Sequence, residues 1–130
     1  MALQYSGFRP QAADDGEPSL SLDRLLIRNP HASFFALMRG NAMARAGIRH
    51  NDVLVIEAAE EYRDGCIVLA FIDHQALVRR LERTPTGFNL APANPRYPTL
   101  SVGEDITIRG QVVAAVTLLA RPRAKLAVVS

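Results

Sequence analysis

The sequence predicts a mainly β domain, an antiparallel β fold with one or two short helices. Of its 130 residues, 48% are hydrophobic, which is enough for one domain with a single core. Short apolar segments separated by turn residues recur at a spacing of roughly 8 to 12 residues, which is typical of antiparallel sheets. Three regions are expected: a flexible N-terminal arm over residues 1–18, the β domain over 19–120 and a C-terminal tail over 121–130.

A short helix is predicted directly after the arm. The candidates for its N-cap are Ser19, Ser21 and Asp23. The spacing of the apolar residues within 22–27 predicts that one helix face points inward. Asn29 and Pro30 should end the helix, because proline disfavours helical geometry at the preceding residue.

Six strands are predicted after this helix. They cover residues 34–38, 52–56, 66–72, 76–81, 87–90 and 106–119. The turn of a hairpin is expected at 73–75, and Gly110 interrupts the last strand. That strand exceeds the usual length of about 5 to 6 residues. It should therefore lie deep in the sheet or offer an edge to another copy of the chain.

The loop between the first two strands contains a predicted helical turn. Residues 41–46 favour one turn of helix, and Gly47 supplies a left-handed cap at little steric cost. Ala42 is thereby placed at a helix start, where backbone N–H groups and the helix dipole would support a reacting group.

Charge and composition exclude several kinds of site. The net charge is +2 and charged residues make up 22% of the chain, so no basic stripe indicates direct sequence-specific DNA binding. Cys66, the one cysteine, excludes an intramolecular disulfide and a zinc site of paired cysteines, and a packed thiol is expected. His31, His50 and His74 have no ligand spacing, so neither a metal nor a cofactor is expected. No targeting or membrane-spanning segment is recognisable, which predicts a cytoplasmic protein.

Two segments carry a family resemblance. Arg39-Gly40-Asn41-Ala42-Met43 and Val78-Arg79-Arg80-Leu81 resemble the active-site segments of the LexA/UmuD family of self-cleaving Ser/Lys peptidases. In that family the first segment reads roughly Ser-Gly-Asp-Ser-Met, with the second serine as nucleophile. The second segment reads Val-Lys-Lys-Leu or Val-Lys-Arg-Leu, with the first lysine as base. Ala42 and Arg79 stand at those two positions.

The resemblance extends over about residues 6–119 in collinear order. Residues 6–14 resemble the cleavage site, so Ser6-Gly7 matches the scissile bond as a vestigial version of the family's Cys-Gly. The family's Leu-x-Pro-x-Asn-x-x-Tyr pattern is met by Leu90, Pro92, Asn94 and Tyr97. The family usually has Gly-Asp where Asn51-Asp52 and Gly65-Cys66 stand, and both departures fall in turns.

The replacements at the two active-site positions remove the dyad chemistry. Ala42 has no oxygen to attack a carbonyl, and the guanidinium of Arg79, with a pKa above about 12, accepts no proton. The only lysine in the chain is Lys125, far from either motif. Arg79 is expected to extend outward from a disused cleft; pairing with Asp52, Asp73 or a partner's carboxylate is the alternative.

The resemblance implies a catalytically inactive, UmuD-like accessory subunit of SOS mutagenesis. Such a protein would form a homodimer, bind a UmuC-type translesion DNA polymerase and respond to RecA filaments. The short segment before Ser6-Gly7 resembles the processed UmuD form. Two alternatives stay open: a RecA-stimulated self-cleaving peptidase, if Ala42 replaces a native serine, and an inactive subunit that regulates active UmuD-like or LexA-like chains by heterodimerisation.

Overall fold

The computed structural model describes residues 21–101, 105–122 and 124–130. The predicted arm and Ser6-Gly7 lie outside the described residues. The elements are helix α1 (Leu22–Leu26), strands β1 (Ser33–Met38), β2 (Val53–Glu57), β3 (Ile67–Ile72), β4 (Gln75–Thr84), β5 (Gly87–Ala91), β6 (Leu100–Ser101), β7 (Ile106–Val116) and β8 (Val128–Val129), and 3-10 turns at Pro30–Ala32 and Ala44–Ala46. The mainly β prediction is confirmed.

Helix α1 begins where the capping pattern predicts. The Ser21 side chain accepts a hydrogen bond from Arg24 N at 3.1 Å. The expected inward face forms only in part, because Leu26 and Ile27 are half-buried whereas Leu22 and Leu25 are 71% and 62% exposed. A helix of five residues makes too few turns to present a continuous apolar stripe to the core.

The strands form one sheet in the order β6-β5-β4-β3-β7-β2-β1-β8. Every pair is antiparallel except β1 with β8, which is parallel. The β3–β4 hairpin turns at Asp73 and His74, whose φ values of 48° and 69° match the left-handed pair of a type I′ turn. This turn lies where the sequence places it.

Strand β7 lies inside the sheet, between β2 and β3, so its two backbone edges are already paired. Its register shifts once against each neighbour, near Ile56 and near Ala70. These bulges bend the strand. Gly110 lies between the two bulges. A Cβ added at this residue would lie 2.5 Å from Ile56 Cγ2, so a larger side chain would force a shift there.

The C-terminal tail returns to the sheet, which the sequence does not predict. Ser130 N donates to Ala76 O at 3.0 Å, and Ser130 O accepts from Val78 N at 2.7 Å. Since β8 also pairs with β1, these bonds connect β8 to β4 and close the sheet into a barrel. The buried interior contains Ala36, Met38, Met43, Ile48, Leu54, Ile56, Leu69, Val78 and Val129.

Candidate functional site

Ala42 lies in the loop that joins β1 to β2. Its side chain is buried, and the next residue, Met43, is fully buried in the core. Ala42 O accepts a hydrogen bond from Ala93 N at 2.8 Å, and Ala93 O accepts in turn from Arg45 N at 2.9 Å. The backbone around position 42 is therefore fixed against the segment that follows β5.

The helical turn in this loop is shorter than predicted. It covers Ala44–Ala46 only and ends at Gly47, whose φ of 87° confirms the left-handed cap. Ala42 therefore precedes the turn rather than starting it. Three 3-10 residues carry too few aligned peptide dipoles to create a significant field at position 42, so the expected dipole support is wrong.

The Leu-x-Pro-x-Asn-x-x-Tyr pattern begins at the end of β5 and continues into the segment that follows this strand. The contacts of its residues show what each contributes to the fold. Leu90 is fully buried in the sheet's second apolar cluster. Asn94 Nδ2 donates to Asn41 O at 2.9 Å, and Asn94 Oδ1 accepts from Arg96 N at 2.9 Å. Asn94 thus joins the loop carrying Ala42 to a turn that leads directly to Tyr97.

Arg79 lies on β4 opposite Val68 and is only 6% exposed. Its Nη1 donates to Val78 O at 2.7 Å and to Ser130 O at 3.0 Å. Among the described residues its Nε has no hydrogen-bond partner. The expectation that Arg79 extends into solvent is wrong, because backbone carbonyls that the sequence pattern does not reveal bind it inside the fold.

Neither aspartate considered as a partner for Arg79 has that role in the structure. Asp52 is buried and accepts from Arg49 N at 2.8 Å and Thr117 Oγ1 at 2.6 Å. Asp73 lies in the exposed hairpin turn. Burial lowers the pKa of Arg79 from its ordinary value, and nearby Tyr97 acts in the opposite direction. An arginine side chain has no acceptor for a hydrogen bond, so Arg79 acts here as a donor only.

Tyr97 connects the two degenerate positions. The Arg79 guanidinium carbon lies 5.7 Å from the centre of the Tyr97 ring, within the range of a cation–π contact. The Tyr97 hydroxyl lies beside Gly40, where an added Cβ would be 3.6 Å from it. The tyrosine therefore spans from Arg79 to the start of the Ala42 loop. Sequence reasoning identified Tyr97 as part of a motif but did not predict this contact.

The side chains at positions 42 and 79 carry neither a hydroxyl nor an amine. Position 42 offers a methyl group, and position 79 offers a guanidinium whose Nη1 is bonded to two carbonyls. His50 is used locally, since its Nδ1 accepts from Gly40 N at 2.8 Å.

In the described part of the chain, no three side chains of His, Cys, Asp or Glu converge as metal ligands. None of the helices described there is long and apolar enough to cross a bilayer.

Comparison with known proteins identifies the family. The Peptidase S24-like family matches residues 5–113. The mainly β fold is consistent with an S24-type domain. The chain belongs to the LexA/UmuD family of these proteins.

The relatives cover both branches of the family. Protein SamA of Salmonella typhimurium is 39% identical over 109 residues, covering 84% of this chain and 76% of SamA. Protein ImpA of Escherichia coli is 36% identical over 108 residues, covering 82% of this chain and 74% of ImpA. The LexA repressor of Delftia acidovorans is 36% identical over 102 residues, which are 77% of this chain and 42% of the repressor. The UmuD-like relatives associate the chain with the SOS mutagenesis part of the family.

Proposed function

We propose that this protein is a catalytically inactive, UmuD-like accessory subunit of SOS mutagenesis. The observation that carries the proposal is the state of the two dyad positions. Ala42 has no nucleophilic atom, and Arg79 is buried and bonded to backbone carbonyls rather than poised to take a proton. An S24-type body that keeps its fold without these groups is suited to binding other proteins.

The proposed partners are a second copy of the chain, a UmuC-type translesion polymerase and RecA filaments. Self-association is supported by apolar side chains that remain exposed in the described residues. Those over one third exposed are Leu22, Leu25, Phe34, Phe35, Leu118, Leu119 and Val128. Phe34, Phe35 and Val128 line one depression and Leu22, Phe35 and Leu118 line another, and contiguous exposed apolar groups are typical of association surfaces. Because both edges of β7 are paired, the dimer contact is not proposed to add a strand to β7.

The inactivity is tested by restoring the dyad in the full chain. The variants are Ala42→Ser, Arg79→Lys and the two combined, each incubated with RecA filaments and analysed by intact mass spectrometry for cleavage at Ser6-Gly7. The matched control combines Ala44→Ser with Arg79→Lys, since Ala44 is an exposed alanine of the same loop. We expect no product from the unmodified chain or the control. Cleavage by the unmodified chain would refute the proposal.

The binding role needs a separate experiment. The tagged full chain is co-expressed with a UmuC-type polymerase, and complexes are isolated and weighed by native mass spectrometry. A polymerase bound to a dimer is the expected result. A chain that pairs only with itself would refute the accessory role, and mixed dimers with an active UmuD-like protein would instead favour the regulatory alternative.

A further inference from the structure

The last residues of the chain occupy a groove between β1 and β4. On the β1 side, Leu37 N donates to Ala127 O and Arg39 N donates to Val129 O, both at 2.8 Å. These bonds continue β1 toward Gly40 and the loop that carries Ala42. The segment therefore lies alongside the strand that leads into the degenerate site.

On the other side of the groove the same segment contacts β4 beside Arg79. Ser130 exchanges two backbone bonds with Ala76 and Val78, and its carbonyl also accepts from Arg79 Nη1. Strands β1 and β4 thus present backbone donors and acceptors from two sides. This is the hydrogen-bonding pattern of a site that holds an extended peptide by strand addition.

One side chain anchors the segment. Val129 is 5% exposed and packs in the barrel interior, whereas Val128 is 54% exposed. The connection from Thr117 to the segment contains no helix or strand among its described residues, and Leu119 in it is fully exposed. A two-residue strand on such a connection has a low free energy of local opening, so it can separate without unfolding the sheet.

We propose that residues 126–130 are an intramolecular ligand that fills an extended-peptide site between Arg79 and the strand that leads to the Ala42 loop. When the segment leaves, the groove accepts another extended peptide through the same backbone groups, provided that an aliphatic side chain occupies the Val129 position. This binding activity goes beyond the proposed accessory role and requires neither the polymerase nor RecA.

The test uses two full-length variants and one probe. Val129→Asp places an unpaired charge in the interior and should release the segment, since burying that charge is unfavourable. Val128→Asp makes the same change at the exposed neighbour and is the matched control. The probe is a fluorescein-labelled synthetic peptide of residues 125–130, and binding is measured by anisotropy. We expect the Val129→Asp chain to bind it at least about tenfold more tightly than the control or the unmodified chain.

A second peptide with aspartate at the position of Val129 should not bind the Val129→Asp chain. Equal binding of the probe by all three chains, or none by a folded Val129→Asp chain, would overturn the proposal. If circular dichroism shows that this variant is unfolded, hydrogen exchange on the unmodified chain decides. The amides of Leu37, Arg39 and Val78 should then exchange at least about tenfold faster than those of the β2–β7 ladder. Equal protection would refute a separable segment.

Discussion

Asp52 anchors the loop that carries Ala42, and truncating it should destabilise the protein measurably. Its carboxylate is 1% exposed and accepts from Arg49 N at 2.8 Å and Thr117 Oγ1 at 2.6 Å. The first bond closes the turn before β2, and the second joins that turn to the residue after β7. Asp52→Ala removes both bonds at once.

The expected loss follows from the number and environment of these bonds. A hydrogen bond to a charged group contributes about 1.5 to 3 kcal/mol. Arg49 and Thr117 are exposed, so their freed donors reach water, and the lower value applies to each. Asp52→Ala should therefore lower the free energy of unfolding by about 3 kcal/mol, and Thr117→Val by about half of that. Asp52→Asn should lose about 1 kcal/mol or less, because its amide can still accept from Arg49 N and donate to Thr117 Oγ1.

Urea unfolding followed by circular dichroism measures these differences at pH 7. Glu60→Ala removes an exposed carboxylate and serves as the control. The double variant Asp52→Ala, Thr117→Val should be no less stable than Asp52→Ala alone, since the shared bond is already lost. An Asp52→Ala chain as stable as the control, or strictly additive losses in the double variant, would refute the reasoning.

Two further predictions concern the sheet. Gly110→Ala should lower the free energy of unfolding by about 1 to 3 kcal/mol, because the new Cβ meets Ile56 Cγ2 at 2.5 Å and Glu57 O at 3.2 Å. In urea unfolding, the loss caused by Gly110→Ala should be smaller in an Ile56→Ala chain than in the unmodified chain; an equal loss in both would exclude the steric cause. Burial raises the pKa of the Cys66 thiol, with nearby backbone groups and Arg80 opposing it. Iodoacetamide should therefore label the native chain more slowly than the unfolded chain at the same pH, by mass spectrometry. Because the folded state holds this proton more tightly, the thiol's stabilising contribution is complete below its unfolded pKa and is lost as the pH rises through the folded value. Cys66→Ser should lack that loss, and native labelling as fast as unfolded labelling would contradict the prediction.

Local chemistry made several parts of the fold predictable. Ser21, Gly47 and the pair Asp73-His74 act through their own backbone and nearest neighbours, so their sequence context is sufficient. Asn51 fits the same rule. Its φ of 71° explains why glycine is common there in the family and why asparagine is tolerated.

The parts that the sequence did not predict depend on distant partners. Val128 and Val129 become a strand only because β1 and β4 present free backbone groups to them, and those strands lie far away along the chain. Likewise, the burial of Arg79 depends on the carbonyl of Ser130 and the ring of Tyr97. The sequence motifs singled out positions 42 and 79, whereas only the structure revealed which groups hold Arg79 in place.

The interior position of β7 constrains how the chain acquires its shape during synthesis. The β1–β2 and β3–β4 hairpins emerge first from the ribosome, yet both must wait for residues 106–116 before they share a sheet. Long-range pairing of this kind slows folding and prolongs the exposure of unpaired edges. The two early hairpins are thus candidates for chaperone protection until residues 106–116 have been synthesised.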